Sequence, residues 1–165
     1  MPGENVTFLS TDSADVIEVD GLHTVPAEYL HSLDLTGLPP SKLELKVGAP
    51  TMLLRNIDLT RGLYNDTYLV FVRIGSYMLQ ACLVNKPGAP IELIPRFTMA
   101  TLEGDMPFML IRKQFPVKLC FAMTINKSQG QPLKHVGIDL RWSSYSHMTN
   151  VSGFFLKIYL EFNIQ

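Results

Sequence analysis

The chain has 165 residues, of which 47% are apolar, enough to bury the core of one ordinary domain or two small ones. Its 14 basic and 15 acidic residues give a formal charge of -1, which excludes the uniform positive field that drives indiscriminate binding to nucleic acid. Cys82 and Cys120 are too far apart for a Cys-x-x-C pair, and we expect neither a secretory signal nor a transmembrane segment.

The first part of the chain predicts short strands around one short helix. Strands are predicted at residues 6–10, 42–47 and 51–56. The acidic segment 12–21 is predicted to be a loop. In HTVPAEYLHSL, Thr24 can cap a helix that has Pro26 in its first turn and ends before Gly37.

The middle of the chain is typical of a small barrel. Strands are predicted at residues 67–74, 77–84, 91–98 and 108–113, joined by turns rich in Gly and Pro. The strand at 91–98 alternates apolar residues with polar ones, with Ile94 as the exception: Ile91, Leu93 and Phe97 against Glu92, Arg96 and Thr98. We expect the apolar face to be buried and the polar face exposed. Pro95 predicts an edge strand or a bulge.

After Pro116 the pattern changes to the apolar run VKLCFAMTI at residues 117–125. It predicts a strand buried on both faces, as in a parallel sheet. A turn or short helix and a second strand, VGIDL, follow. Residues 117–140 are therefore predicted to form a β-turn/helix-β unit.

The loop TINKSQG, residues 124–130, has the chemistry of an anion site. Thr124 can cap the turn, and the free backbone N–H groups there, with Lys127 and Ser128, would face an anion. The loop follows a buried strand, and ligands of open α/β folds bind at that edge of the sheet. The alternative is an ordinary polar connection in which Gly130 merely ends a helical turn.

Three stretches carry a resemblance to a known family: QFPVKLCFAMTINKSQGQPLKHVGIDL, GLPPSKLELKVGAPTMLLRNIDLTRGLYNDT and IELIPRFTM. They resemble, in that order, motif V, the entry to the inserted domain 2B and the exit from it in superfamily-one DNA helicases of the petite-integration-frequency type, especially the Helitron-encoded branch. The resemblance implies an α/β fold: a partial RecA-like sheet with an inserted small antiparallel Src-homology-like β-barrel, strand-rich with few short helices. It assigns residues 1–60 and 114–147 to the second RecA-like domain, 61–113 to the 2B barrel and 148–165 to a divergent tail.

The resemblance also implies roles for individual residues. In these helicases motif V lies between single-stranded DNA and the nucleotide. It implies DNA contacts for Thr124, Asn126, Lys127 and Ser128, and nucleotide coupling for Gln129 and Gly130. The family's GL-x-NGT pattern makes Asn56, Asn65 and Thr67 candidate DNA-proximal residues, although Asn65 is interpreted as a turn former and Asp66 replaces the Gly of the pattern.

Several parts that hydrolysis of ATP requires do not occur in this sequence. It has no G-x-x-x-x-G-K-[ST] loop, and no arginine follows Tyr145-Ser146-His147, where relatives continue into GQLYVALSR. We therefore assign no catalytic residue and no metal ligand, and expect ATP and Mg²⁺ to be cofactors of intact relatives and not of this chain alone. The tail is either a translated extension past a broken reading frame or an amphipathic helix with Phe154, Ile158 and Phe162 on one face.

The leading hypothesis is a piece of an ATP-dependent DNA helicase, whose intact relatives act in repair, recombination, telomere maintenance or Helitron transposition in the nucleus. The chain itself is expected to be catalytically inert and at most a weak binder of single-stranded DNA, with the missing first motor domain as a partner if it is encoded nearby. Arg73, Arg96, Arg112 and Lys113 either form a basic strip or are scattered solvated charges. The alternatives are a protein-interaction module built on the barrel and a non-functional transposon remnant.

Overall fold

The computed structural model describes residues 5–16, 25–84, 86, 88–101, 106–124, 136–139 and 157–160. The described residues form short strands and one helix, α1 (Ala27–Ser32). The strands are β1 (Val6–Leu9), β2 (Thr11–Val16), β3 (Lys42–Leu45), β4 (Pro50–Leu53), β5 (Tyr68–Ile74), β6 (Met78–Leu83), β7 (Glu92–Pro95), β8 (Phe97–Ala100), β9 (Phe108–Gln114), β10 (Val117–Leu119), β11 (Ala122–Thr124), β12 (Val136–Asp139) and β13 (Lys157–Leu160).

The largest sheet is antiparallel and has the strand order β10-β4-β5-β6-β7. Alternate residues of its strands face a core that the pair β1-β3 also covers, and this core includes Leu43, Leu53, Leu69, Phe71, Leu79, Ile94 and Phe115. The β5–β6 hairpin closes at Gly75, whose N–H donates to the carbonyl of Met78 at 3.1 Å. A Cβ at Gly75 would lie 2.9 Å from that carbonyl oxygen, so the turn excludes larger residues.

A second sheet, β2-β9-β8, carries α1. Its core contains Leu30, Leu38, Met99, Phe108 and Leu110. The predicted helix is confirmed, with Pro26 at its N-cap position and no side-chain cap. Thr24 lies outside the described residues.

The acidic segment that begins at Asp12 is a strand for its first residues, so the prediction of a loop over 12–21 is wrong for β2. Asp12 lies opposite Arg112 in the register between β2 and β9. Both side chains are 0% exposed, and Arg112 Nη2 lies 2.7 Å from Asp12 Oδ2. Because the carboxylate is paired inside the protein, its charge does not prevent strand formation. Arg112 is therefore neither a solvated charge nor part of a basic strip.

The predicted strand at residues 91–98 is two strands, and the predicted faces are inverted at residues 91–94, whereas Phe97 packs against the second core and Thr98 is exposed, as predicted. β7 and β8 belong to different sheets, with Arg96 between them. Glu92 is 2% exposed and Ile94 0%, whereas Ile91 and Leu93 are 47% and 49% exposed. The inversion follows from Ile94, which fills the core and takes Glu92 to the same face. Since β7 ends its sheet, the edge position predicted from Pro95 is confirmed.

The segment after Pro116 also differs from its prediction. β10 pairs with β4, whereas β11 and β12 each pair with β13, and every pairing among the described strands is antiparallel. The expected strand buried on both faces is wrong at Lys118 and Leu119, which are exposed. β11 and β12 run in the same direction, but β13 lies between them and supplies the hydrogen bonds that a direct parallel pair would have made.

β13 also excludes a helix at residues 157–160, although Phe154 and Phe162 lie outside the described residues. Within the described ranges, no helix has the length and hydropathy needed to cross a membrane. The division of the chain at residues 61, 113 and 147 stays a prediction.

Candidate nucleic-acid interface

The motif V loop is only partly described. Thr124 is the last residue of β11 and lies opposite Lys157 of β13. The other predicted contacts lie outside the described residues: Asn126, Lys127, Ser128, Gln129 and Gly130. Their roles in binding DNA and in nucleotide coupling stay predictions.

The second predicted site is the loop of residues 56–67, which joins β4 to β5. Its two arms are joined at an isolated antiparallel bridge between Asp58 and Leu63. The Leu63 carbonyl accepts from the N–H groups of Ile57 and Asp58 at 2.8 and 3.0 Å, and the Leu63 N–H donates to the Asp58 carbonyl at 2.8 Å. Leu63 is buried in the main core. This loop therefore has a defined shape of its own.

The tip of the 56–67 loop is organised by the carboxylate of Asp58. Its Oδ1 accepts hydrogen bonds from the Thr60 hydroxyl at 2.6 Å, the Thr60 N–H at 3.0 Å and the Arg61 N–H at 3.3 Å. The Thr60 hydroxyl is the main cause that lowers the pKa of Asp58. Gly62 completes the tip with a φ of +84°, which glycine adopts without strain.

A second turn in this loop spans residues 64–67. The Thr67 N–H donates to the Tyr64 carbonyl at 3.1 Å, and Asp66 has a φ of 66°. The third position of such a turn needs a positive φ. This requirement explains why the family pattern has Gly at the position where this chain has Asp66. Two backbone hydrogen bonds with Leu53, of 2.8 and 2.9 Å, join the turn to β4.

The three DNA-proximal candidates have different surroundings. The Asn65 N–H donates to Asn56 Oδ1 at 2.8 Å, which places these two exposed residues side by side. Thr67 is buried, and its hydroxyl donates to the Gly62 carbonyl at 3.2 Å and accepts from the Tyr64 N–H at 3.3 Å. The Thr67 side chain therefore supports the turn, while Asn56 and Asn65 lie at its surface.

Sequence reasoning missed two features of this loop. Tyr64, next to Asn65, is 44% exposed and presents an aromatic side chain to solvent. Arg61 Nη2 lies 2.7 Å from Oε2 of the buried Glu92. The signal for the second feature is Glu92 itself, a carboxylate between apolar residues, which the alternating pattern assigns to the exposed face of the strand.

The described residues form no cluster of metal-ligating side chains. They contain no group of three or more His, Cys, Asp or Glu side chains placed to hold a metal ion. No step that involves ATP can therefore be derived from them, and the expectation about cofactors stays a prediction.

Comparison with known proteins identifies what the chain is similar to. Residues 28–74 match the family model described as DNA helicase Pif1, 2B domain. The chain is 33% identical over 140 residues to the ATP-dependent DNA helicase PIF1 of Xenopus laevis, covering 85% of this chain and 20% of that protein. It is 36% identical over 115 residues to the human ATP-dependent DNA helicase PIF1, covering 68% of this chain and 18% of that protein. The chain thus matches about a fifth of the length of these curated relatives.

Solved structures show the same fold. The crystal structure of Pif1 helicase from Candida albicans matches with a TM-score of 0.54 and 23% identity, over 79% of this chain and 32% of that one. A structure concerned with DNA unwinding at forked double-stranded DNA by two coordinating Pif1 helicases matches with a TM-score of 0.51 and 24% identity, over 77% of this chain and 25% of that one. The predicted fold class, a strand-rich partial RecA-like sheet with an inserted 2B region and few helices, is confirmed. The sheets that the described residues form are open.

Proposed function

Because this chain corresponds to one segment of the Pif1-type superfamily-one helicases, we propose that it forms the single-strand-contacting part of a DNA-unwinding motor and has no catalytic group of its own. The observation that supports this most is the 56–67 loop, which uses its inner polar groups for its own turns and leaves Asn56, Tyr64 and Asn65 at the surface. The whole motor's ATP and Mg²⁺ would be held by other parts of the whole protein, and its place of work would be the nucleus.

The exposed residues of the loop suit single-stranded DNA. Proteins that bind single strands combine an aromatic side chain on which a base stacks with polar and cationic groups along the backbone. Tyr64 supplies the first, and Asn56, Asn65 and the exposed Arg55 supply the second. Because the loop's turns are already hydrogen-bonded, little ordering entropy opposes binding.

In this proposal the motif V loop adds contacts on the same chain. Thr124, Asn126, Lys127 and Ser128 would contact the DNA backbone. Gln129 and Gly130 would couple that contact to the nucleotide held by the rest of the motor. With a formal charge of -1 the chain has no general attraction for DNA, so the binding depends on these local groups and is weak.

The experiment is a titration of a fluorescently labelled oligothymidylate with the purified chain, followed by anisotropy at several salt concentrations. We expect weak binding with a log-log salt slope of about -0.7 per phosphate contacted, and Lys127→Ala should reduce that slope by about 0.7. Tyr64→Ala should weaken binding by about 1–3 kcal/mol, the usual contribution of one stacked base. The matched control is Tyr77→Ala, because Tyr77 is 88% exposed on the β5–β6 hairpin.

The control variant should bind as the wild type does. Absence of binding at low salt would contradict the proposed function. Equal losses in the Tyr64 and Tyr77 variants would show that binding does not use the 56–67 loop.

A second candidate function is a protein-interaction module, favoured by an exposed apolar surface on β5, β6 and β7. This surface consists of Val72 of β5, Met78 of β6, Leu93 of β7 and Ile91, which directly precedes β7. Exposed apolar clusters of this kind are typical of interaction sites. If a protein partner binds there, Leu93→Gln, which adds no charge, should abolish its capture and leave the affinity for oligothymidylate unchanged. The remaining alternative is a non-functional remnant, and the absence of a cooperative unfolding transition in the purified chain would support it.

A further inference from the structure

Glu92 is a buried charged residue on β7, an edge strand of the five-stranded sheet. Its side chain is 2% exposed. It lies opposite Ala81 of β6 and on the same face as Ile94, and both of these residues are 0% exposed. A carboxylate in such apolar surroundings is costly to bury unless it is paired. Its presence there calls for a partner.

That partner is Arg61, at the tip of the 56–67 loop. Arg61 Nη2 lies 2.7 Å from Glu92 Oε2. The contact is an ion pair without the alignment of a hydrogen bond, and no other group among the described residues hydrogen-bonds to this oxygen. The guanidinium side chain is 51% exposed, so it enters the protein from the surface to neutralise the buried charge.

The ion pair joins the tip of the 56–67 loop to β7, and these two parts of the structure are distant in sequence. Arg61 is also bound through its N–H to Asp58 Oδ1, within the tip of the loop. Next to it, Gly62 packs on the segment between β6 and β7, where an added Cβ would lie 3.3 Å from Lys86 Nζ. If the tip moved away from β7, Glu92 Oε2 would lose its ion pair with Arg61. The carboxylate therefore opposes opening of the loop.

We propose that Glu92 is a positioning residue for single-strand binding: through Arg61 it holds the 56–67 loop in the shape that presents Tyr64 and Asn65 to the nucleic acid. This role rests on the proposed function. Glu92 is buried and does not contact DNA. Arg61 does not serve as the main phosphate contact, because its charge is already neutralised.

The decisive variant is Glu92→Leu. A buried ion pair replaced by an apolar residue of similar size is often as stable as the original or more so. The variant should therefore unfold at the same or higher urea concentration, while the freed loop binds oligothymidylate on the order of ten-fold more weakly, because ordering the loop then opposes binding. If Glu92 had a merely structural role, its replacement would weaken binding only when it also lowered the stability of the protein. Glu92→Gln, which keeps the shape, should weaken binding in the same direction.

A second measurement follows the loop without DNA. Trypsin cleaves after Arg61, and cleavage of a native protein depends on how often the segment opens. We expect Glu92→Leu and Glu92→Gln to be cut at this bond about ten-fold faster than the wild type or more. Arg61→Lys keeps both the charge and a trypsin site, and should retain most of the affinity of the wild type and of its resistance to cleavage.

The matched control is Glu44→Gln. Glu44 forms an ion pair of 2.7 Å with Lys42 on the surface of β3, and both side chains are largely exposed. Because removal of any carboxylate increases the attraction between the chain and DNA, this variant measures that effect alone. It should bind slightly better than the wild type and resist trypsin equally well.

The outcomes separate this proposal from the proposed function. If the wild type binds and Glu92→Leu binds as Glu44→Gln does, the positioning role is refuted while the proposed function stands. Unchanged cleavage after Arg61 in both Glu92 variants also refutes it. If the wild type does not bind at low salt, both proposals fail together.

Discussion

Replacement of Arg112 by methionine should remove most of the stability of this fold. The guanidinium lies in the interior, with Nη2 2.7 Å from Asp12 Oδ2 and Nε 3.1 and 3.0 Å from the two carboxylate oxygens. Arg112→Met leaves the buried carboxylate of Asp12 without its partner, which costs about 3–5 kcal/mol. The variant keeps an unbranched apolar chain at the position, so the cost of lost packing is small.

Backbone carbonyls add to this cost. Arg112 also donates to the carbonyls of Leu30 at 2.8 Å, Leu33 at 3.2 Å and Pro39 at 3.1 Å, which joins the end of α1 and the following loop to β9. A buried acceptor that loses its donor costs about 1–3 kcal/mol, less where water reaches it. We therefore expect a total loss of at least about 5 kcal/mol, comparable with the whole stability of many domains.

The assay is equilibrium unfolding in urea, followed by far-ultraviolet circular dichroism. Lys42→Met is the control, since it removes an exposed ion pair of the same 2.7 Å length and should change the free energy of unfolding by less than about 1 kcal/mol. The double variant Asp12→Leu, Arg112→Met removes the unpaired charge and should recover part of the loss. A loss below about 1 kcal/mol in Arg112→Met would refute the reasoning.

Three further predictions concern the loop and the β4–β5 region. Asp66→Gly should be more stable to urea than Asp66→Ala by about 1 kcal/mol, because both lose the carboxylate and only glycine adopts the positive φ without strain. Burial and the neighbouring Cys120 raise the pKa of Tyr68. The stability that Tyr68 contributes should therefore be complete below about pH 10 and decrease at higher pH. The free energy of unfolding measured from about pH 8 to 11 should show this decrease, and Tyr68→Phe should not show it. Because the pKa of Asp58 is lowered in the folded chain, its ionised carboxylate stabilises the fold above about pH 4, and this contribution is lost as the pH falls. Thr60→Val should raise the pKa of Asp58, as measured by an NMR titration of the carboxyl carbon.

Much of the strand content could be predicted because it depends on local pattern. The predicted strands at residues 6–10, 42–47, 51–56, 67–74, 77–84 and 108–113 all correspond to observed ones, with ends shifted by a few residues. Each is a short run rich in apolar and β-branched residues, bounded by turn-forming residues. Such a run specifies a strand whatever its partner is.

Two of the errors have the same physical cause, which is a charge whose partner is distant in sequence. Asp12 looked like a loop residue because its partner, Arg112, lies 100 residues further along the chain. Glu92 looked exposed because Arg61 approaches it from another loop. A local pattern assigns charges to the surface, since the pattern contains no information about long-range pairing.

In the loop of residues 56–67, too, some features could be inferred from the sequence and others could not. Its turn at residues 64–67 could be inferred from the family pattern, and Asp66 has the positive φ that a glycine at that position implies. The burial of the Thr67 hydroxyl and the exposure of Tyr64 could not be inferred, because both depend on how the loop packs against β4 and the core.

The pairing of β2 with β9 and of β4 with β10 has a consequence for how the chain folds during synthesis. These strands from the first third of the chain pair with strands more than 60 residues later, so the sheet β2-β9-β8 cannot form until β9 has left the ribosome, and the five-stranded sheet stays incomplete until β10 has. Until then Asp12 has no Arg112 to pair with, and the strands β4, β5, β6 and β7, which pair in chain order, lack β10 at their β4 edge. Folding should therefore be slow, on the order of milliseconds to seconds, as in other proteins dominated by distant contacts. A chaperone that shields the open edge of β4 during this interval would increase the yield of folded protein more than one that acts after release.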